Sequence, residues 1–134
     1  MSGETNLDTL LKHMKPVVQD GEYVFCVVSE NKLEEIETPK MIFREPEGTT
    51  VIVTKDIAER NSLDYSSSWG LITLSIHSAL EAEGFLAAIT AYLAKSKISV
   101  NAVSAYYHDH LFVPYSKVQD ALQILERIPD TLES

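Results

Sequence analysis

Between Leu71 and His77, apolar and polar side chains alternate at every position. Successive side chains of a β-strand point to opposite faces, so Ile72, Leu74 and Ile76 would share one face and the polar residues the other. A strand with one apolar and one polar face is typical of an antiparallel sheet that is covered on one side. The segment therefore predicts such a sheet in the second half of the chain, with helices on one face.

A helix is predicted directly after this strand. The spacing Ser78-x-x-Glu81 is that of a capping box, in which both side chains bind the backbone at the start of a helix. Phe85, Ile89 and Leu93 then recur at helical spacing, with several alanines between them. We therefore expect a helix that starts at Ser78 and packs on the sheet through these three side chains.

The rest of the second half predicts two strands and a last helix. Residues 98–107 form a long strand in this interpretation, His108-Asp109 a turn, and 111–113 the return strand. A helix along Val118–Leu125 would then end at Pro129. The order strand–helix–strand–strand–helix is one strand short of a ferredoxin-like unit. The missing strand must come from the first half of the chain or from a partner chain.

The first half predicts a weaker copy of this pattern, preceded by a helix. Leu7, Leu10, Leu11 and Met14 lie on one helical face, and Lys15-Pro16 would end that helix. The predicted strands cover residues 23–28, 41–44 and 50–54, with a short helix over 56–61 and a serine linker at 66–68. We divide the chain into an N-terminal module, residues 1–68, and a C-terminal module, residues 69–134, which shares a strand with the first.

Composition excludes several classes of partner. The chain has 134 residues, 45% of them hydrophobic, and a formal net charge of -9. Nucleic acids and anionic membranes attract basic surfaces, so neither is an expected partner. The start of the chain is polar and acidic, and no long apolar run occurs, so we expect a cytoplasmic protein. Cys26, the only cysteine, lies in an apolar run and is expected in the core.

No catalytic, cofactor or metal motif is found. Phosphate-binding glycine loops and the nucleophile elbow are absent, so we expect neither an enzyme nor a cofactor. His108 and His110 would face the same side of a strand, but a metal site needs three or four ligands. A structural or interface role is therefore the favoured interpretation of these histidines, and no metal is expected.

Residues 69–114 resemble a known family, the small bacterial proteins with tandem ACT-like domains, which are related to the ACT regulatory modules of aspartokinases. The segments that carry the resemblance are Trp69-Gly70-Leu71-Ile72, His77-Ser78-Ala79-Leu80-Glu81-Ala82-Glu83-Gly84-Phe85-Leu86-Ala87, Ile98-Ser99-Val100-Asn101 and Tyr107-His108-Asp109-His110-Leu111-Phe112-Val113-Pro114. The first half resembles the family only weakly.

The resemblance implies an α+β fold of two ferredoxin-like modules and a regulatory role without catalysis. It also implies a small ligand, commonly an amino acid, at the interface between modules, bound by the loop after the first strand and by an adjacent glycine. The ligand-binding residues expected from it are Ser78, Ala79, Leu80, Glu81, Glu83, Gly84, Phe85 and Asn101.

Elementary electrostatics is compatible with such a ligand. A helix start offers free N–H groups to a carboxylate, and Glu81 or Glu83 would pair with an ammonium group. The alternative is that both glutamates face water and complement the helix dipole, and the same two charges would repel an incoming carboxylate.

Two other functions stay open at this point. The chain would serve as an interaction module that forms a homodimer through sheet edges without any ligand. A small metal-dependent enzyme that uses His108 and His110 is the third alternative. We expect a homo-oligomer both for a ligand-binding regulator and for an interaction module.

Overall fold

A computed structural model describes residue 3 and residues 5–132. The helices are α1 (Leu7–His13), α2 (Glu30–Leu33), α3 (Lys55–Arg60), α4 (Phe85–Lys95) and α5 (Val118–Leu132). The strands are β1 (Pro16–Val28), β2 (Met41–Glu45), β3 (Gly48–Thr54), β4 (Trp69–Leu74), β5 (Asn101–Ser104) and β6 (Asp109–Pro114). Two compact units result: the central unit, residues 21–69, and the terminal unit, which joins the described residues up to 20 with 70–132.

The central unit is a three-stranded antiparallel sheet in the order β2–β3–β1. One face of this sheet carries the core, which α3 covers. The core side chains are Val24, Cys26, Val28, Ile36, Val51, Val53, Ile57 and Ala58. The Thr54 hydroxyl caps α3 by accepting a hydrogen bond of 3.3 Å from the backbone N–H of Ile57. The predictions for β2, β3 and α3 are confirmed to within two residues at each end, whereas β1 is longer than predicted and α2 was not predicted.

Strand β1 starts earlier than the sequence predicts. The polar residues Asp20, Gly21 and Glu22 resemble a turn, but the strand passes through them from Pro16 to Val28. Gly21 takes a φ of +112°, a conformation that glycine adopts without steric cost. The strand lies in the terminal unit up to Asp20 and in the central unit from Gly21 onward.

The terminal unit is built on strands in the order β1–β4–β6–β5, with β5 and β6 antiparallel. The start of β1 therefore supplies the strand that the second half lacks, and the Ser75 N–H donates to the Lys15 carbonyl at 2.7 Å beside it. Helices α1, α4 and α5 cover one face. The largest fully buried side chains in the core of this unit are Leu10, Ile72, Leu74, Ile89, Leu93, Leu111, Leu125 and Ile128.

Helix α4 does not start with the predicted capping box. It begins at Phe85, and Gly84 is its N-cap residue. At the other end, Lys97 takes a left-handed φ of +60°, and Ile98 donates its N–H to the Leu93 carbonyl, which ends the helix as a Schellman motif does. Because Ile98 closes the helix, β5 begins only at Asn101.

Two further boundaries differ from the sequence prediction. The turn between the last two strands is closed by a hydrogen bond from the Ala105 N–H to the His108 carbonyl, so Asp109 belongs to strand β6. Helix α5 continues through Pro129 to Leu132, because Ile128 is buried and Leu132 packs on the core beyond it. The division into modules 1–68 and 69–134 stays a prediction, because the compact terminal unit contains α1 together with the second half of the chain.

Candidate functional site

A pocket of about 70 Å³ lies inside the terminal unit, beside the start of α4. Three segments form its wall: the loop after β4, the first turn of α4, and the hairpin that joins β5 to β6. The lining residues are Ser78, Ala79, Leu80, Ala82, Phe85, Leu86, Ser104, Ala105 and Asp109.

Asp109 is the charged residue of this wall, and it is 8% exposed. The Ser104 hydroxyl donates to its Oδ1 at 2.6 Å, and the Ser78 hydroxyl donates to its Oδ2 at 3.3 Å. Ser78 is also buried. Two hydroxyls, one from the loop after β4 and one from β5, thus hold one buried carboxylate at the pocket.

Strand geometry explains the burial of Asp109. Alternate residues of a strand share a face, so Asp109 lies on the same side of β6 as Leu111 and Val113, which are core residues. Sequence reasoning assigned Asp109 to a turn and missed it. The two-residue spacing of positions 109, 111 and 113 was the sequence signal that could have placed Asp109 on the buried face of the strand.

The first turn of α4 lies at the pocket and carries backbone N–H groups without partners in the helix. Gly84 has a φ of +82°. The first backbone hydrogen bond of the helix runs from the Ala88 N–H to the Gly84 carbonyl. The N–H groups of the turn before Ala88 have no acceptor within the helix, and glycine offers no side chain to cap them. Phe85 and Leu86 from this turn line the pocket.

The eight residues expected to bind a ligand divide into two groups. The four that line the pocket are Ser78, Ala79, Leu80 and Phe85. The four that the pocket wall does not include are Glu81, Glu83, Gly84 and Asn101, all of which are exposed. The structure adds Ala82, Leu86, Ser104, Ala105 and Asp109 to the wall, three of them from the hairpin after β5.

The pocket is acidic. No lysine, arginine or histidine is among its lining residues, and none of the ion pairs between described residues includes Asp109. A buried carboxylate without a cation is uncommon, because removal of a charge from water is costly unless a counter-charge or several hydrogen bonds replace the water.

An aromatic cluster lies next to the pocket along the chain, consisting of His77, Tyr106 and Tyr107. The ring centroids of Tyr106 and Tyr107 are 5.0 Å apart in an edge-to-face arrangement, and His77 lies 5.3 Å from Tyr107. The tyrosines are 55% and 64% exposed. Ser78 and Ala105, which follow His77 and precede Tyr106 in the chain, line the pocket.

His108, in the turn before β6, and His110, within β6, make separate contacts. His108 Nδ1 lies 3.4 Å from the Ile76 carbonyl oxygen, and His110 Nδ1 lies 2.9 Å from the Thr73 hydroxyl. Their ring centroids are 6.4 Å apart. Within residues 3 and 5–132, no group of three or more His, Cys, Asp or Glu side chains is arranged to hold a metal ion.

Cys26 lies in the core of the central unit, as expected. Burial raises the pKa of its thiol, and the negative charge of Asp64 raises it further. A thiol with a raised pKa is a weak nucleophile at neutral pH, so Cys26 acts as a small apolar side chain.

Two family models describe the sequence in tandem, and both are ACT domains. One matches residues 2–69 and the other residues 66–127. The chain belongs to the ACT-domain family. The resemblance found in the sequence is thereby confirmed, as is the α+β fold class of two ferredoxin-like ACT modules.

Solved structures share this fold. A protein of unknown function from Vibrio cholerae, described as a possible transport protein, has 42% sequence identity and a TM-score of 0.83, with 92% of this chain and 95% of that chain covered. The ligand-free regulatory subunit of aspartate kinase from Thermus thermophilus has 8% identity and a TM-score of 0.65, with 88% and 97% covered. A protein from Agrobacterium tumefaciens has 17% identity and a TM-score of 0.66, with 87% and 89% covered.

ACT domains are regulatory rather than catalytic, and they suggest a small-molecule-binding role for this chain. No curated protein matches the sequence. Among the described residues, no helix is long and apolar enough to cross a membrane.

Proposed function

We propose that this protein is a non-catalytic sensor or regulator that binds a free amino acid in the pocket beside the start of α4. The observation that carries the proposal is the composition of the pocket wall. One short stretch of wall contains both the buried Asp109 carboxylate and the first turn of a helix.

An amino acid carries the two charges that suit these groups. Its carboxylate fits the start of α4, where free N–H groups and the helix dipole favour a negative charge. Its ammonium group fits Asp109, which accepts hydrogen bonds from two hydroxyls. Both interactions lie within the terminal unit.

The size of the pocket favours a small ligand. A volume of about 70 Å³ holds about five water molecules, since each needs roughly 10–15 Å³ by this measure. That is close to the number of heavy atoms in the smallest amino acids. A longer side chain would extend into solvent past Leu80, which is 62% exposed.

Binding would be coupled to the loop after β4. This loop, residues 75–84, contributes Ser78 to Asp109 and most of one wall of the pocket. A ligand that bridges Asp109 and the start of α4 stabilises one conformation of this loop, and a partner protein can respond to that change in population.

The test is a thermal-shift and NMR titration with the twenty amino acids. One selectively bound amino acid should raise Tm and shift the amide resonances of residues 78–86 and 104–109. Ala82→Phe fills the pocket and should abolish the response, whereas Ala87→Phe, on the exposed side of α4, should keep it. If none of the amino acids shifts these resonances, or if Ala82→Phe leaves binding intact, the proposal is wrong.

A homodimeric interaction module is the second candidate, and the edge strand β2 favours it. Ile42 and Phe43 on this strand are 42% and 62% exposed. An exposed edge strand with apolar side chains is a template for pairing with another chain. Sedimentation of the wild type and of Phe43→Lys tests this: a dimer that Phe43→Lys converts to monomer supports it, and a wild-type monomer at high concentration contradicts it.

A further inference from the structure

We propose that the pocket selects its ligands by positive charge, with Asp109 as the anchor for an ammonium group. Amino acids with neutral or basic side chains, and simple amines, then bind, whereas acidic amino acids and N-acylated amino acids do not. This inference rests on the proposed ligand-binding function of the same pocket.

Asp109 has unused capacity to accept hydrogen bonds. The two oxygens of a carboxylate offer about four acceptor positions. The hydroxyls of Ser78 and Ser104 are its hydrogen-bond partners and take one position on each oxygen. About two positions are left for a ligand, which is what a bound ammonium group with three N–H donors would use.

Within residues 3 and 5–132, no cationic side chain compensates the charge of Asp109. Its partners are neutral hydroxyls, and none of the ion pairs of the described residues involves it. An ammonium group supplies a counter-charge to a carboxylate that is itself only 8% exposed, so a charged hydrogen bond to it is stronger than one at the surface.

The other acidic side chains near the pocket also favour a positively charged ligand. Glu81 and Glu83 precede α4 and are exposed, and no basic side chain is among the described residues that line the pocket. Their field attracts cations toward the pocket and repels a ligand with a second carboxylate. The start of α4 offsets this repulsion for the single carboxylate of a neutral amino acid, because its free N–H groups can bind only one such group.

The anchor is held rigidly before a ligand arrives. Asp109 and Ser104 are direct partners in the antiparallel pairing of β5 with β6, so backbone geometry keeps the two side chains together. Ser78 links the same carboxylate to the loop after β4, whose conformation the proposed function couples to binding. A preorganised anchor loses little entropy when it binds.

Three probes that share the alanine skeleton separate the two ends of the ligand. L-Alanine carries both charges, L-alaninamide keeps the ammonium group only, and N-acetyl-L-alanine keeps the carboxylate only. We expect alanine to bind, alaninamide to bind more weakly but measurably, and N-acetylalanine and aspartate to bind at least tenfold more weakly than alanine by NMR titration.

The matched variants are Asp109→Asn and Glu83→Gln, which remove one negative charge each. Asp109→Asn should weaken alanine binding by about 10- to 100-fold and abolish alaninamide binding, as expected for loss of a charged hydrogen bond. Glu83→Gln removes a nearby exposed charge and should change either affinity less than about threefold.

The outcomes distinguish this inference from the proposed function. If N-acetylalanine binds as well as alanine, or if Asp109→Asn binds alanine normally, the ammonium anchor is wrong while ligand binding in the pocket stands. If Mg²⁺ or Ca²⁺ binds and Asp109→Asn abolishes it, Asp109 holds a metal and the inference is overturned. If none of the probes and none of the twenty amino acids binds, the proposed function fails, and the inference with it.

Discussion

The two units of this chain handle an acidic side chain in opposite ways. In the central unit, Glu30 is exposed, and Arg44 lies 3.0 Å from it while Thr49 donates a hydrogen bond of 2.7 Å. In the terminal unit, Asp109 is buried and is bound by two serine hydroxyls. Among the described residues, the carboxylate of the central unit thus has a cationic partner, whereas that of the terminal unit has neutral hydroxyl partners. This difference is the basis of the proposal that Asp109 binds an ammonium group.

The units differ in continuity as well. The central unit is one stretch of chain, residues 21–69, whereas the terminal unit joins the start of the chain to residues 70–132. The terminal unit therefore depends on a segment that is distant in sequence, and the central unit does not.

Deletion of residues 1–20 should have the largest effect. It removes the first part of β1 and three buried core side chains, Leu10, Leu11 and Met14. Each such loss costs about 2–5 kcal/mol, and the sum approaches the whole stability of a domain. We expect the terminal unit to lose cooperative unfolding in circular dichroism, with recovery when a peptide of residues 3–20 is added in excess. A sharp, unchanged melting transition without the peptide would show that the unit does not need this segment.

Gly70→Ala should destabilise the terminal unit by about 1–3 kcal/mol through overpacking. A Cβ atom at Gly70 would lie 2.1 Å from Cγ2 of Val118, so the start of α5 must move. Denaturant unfolding measures the loss, and Val118→Ala is the matched second change. The double variant should be more stable than the sum of the single effects predicts, because the smaller side chain makes room. Additive losses would mean that the two residues do not meet.

Asp109→Asn should raise the stability of the ligand-free protein by about 1 kcal/mol. The asparagine keeps a hydrogen-bonding side chain between Ser78 and Ser104 and removes the cost of a buried charge. Residues that serve binding are often destabilising by themselves, so a gain in stability together with a loss of binding is the expected combination. A lower Tm for this variant would show that the carboxylate is better compensated than its two hydroxyl partners suggest.

Glu30→Gln should have the smallest effect, a change in Tm of less than about 2 °C, because the pair with Arg44 is exposed to water. The hydroxyl of Thr49 and then the guanidinium of Arg44 lower the pKa of Glu30. A lowered pKa stabilises the fold above the ordinary carboxyl pKa, and this contribution disappears as the pH falls through the folded value. The difference between variant and wild type should therefore vanish in acid, and a difference that grows in acid would contradict this assignment.

The sequence predicts the parts of this fold that local periodicity determines. The alternation around Ile72 and Leu74 marks β4, and the spacing of Phe85, Ile89 and Leu93 marks α4; both are confirmed. Helix α4 buries one face, as its spacing predicts. Strand β4 is buried from Gly70 to Leu74 on both faces, so the expectation of one exposed polar face was wrong for this strand.

Local patterns failed where a distant contact determines the structure. The spacing Ser78-x-x-Glu81 predicted a helix start, but the Ser78 hydroxyl binds Asp109, which lies 31 residues further along the chain. The pocket was located only in part for the same reason, because two of its three polar side chains, Ser104 and Asp109, come from the β5–β6 hairpin. The extension of β1 back to Pro16 depends on its neighbour β4, and no pattern within residues 16–22 indicates it.

The discontinuous terminal unit has a consequence for the order in which this protein is made. A ribosome releases the segment of α1 before the central unit, and its partners in residues 70–132 after the central unit. During synthesis Leu10, Leu11 and Met14 therefore remain without their partner surface while the contiguous central unit is made. The nascent chain thus carries an unburied apolar segment over the whole synthesis of the central unit.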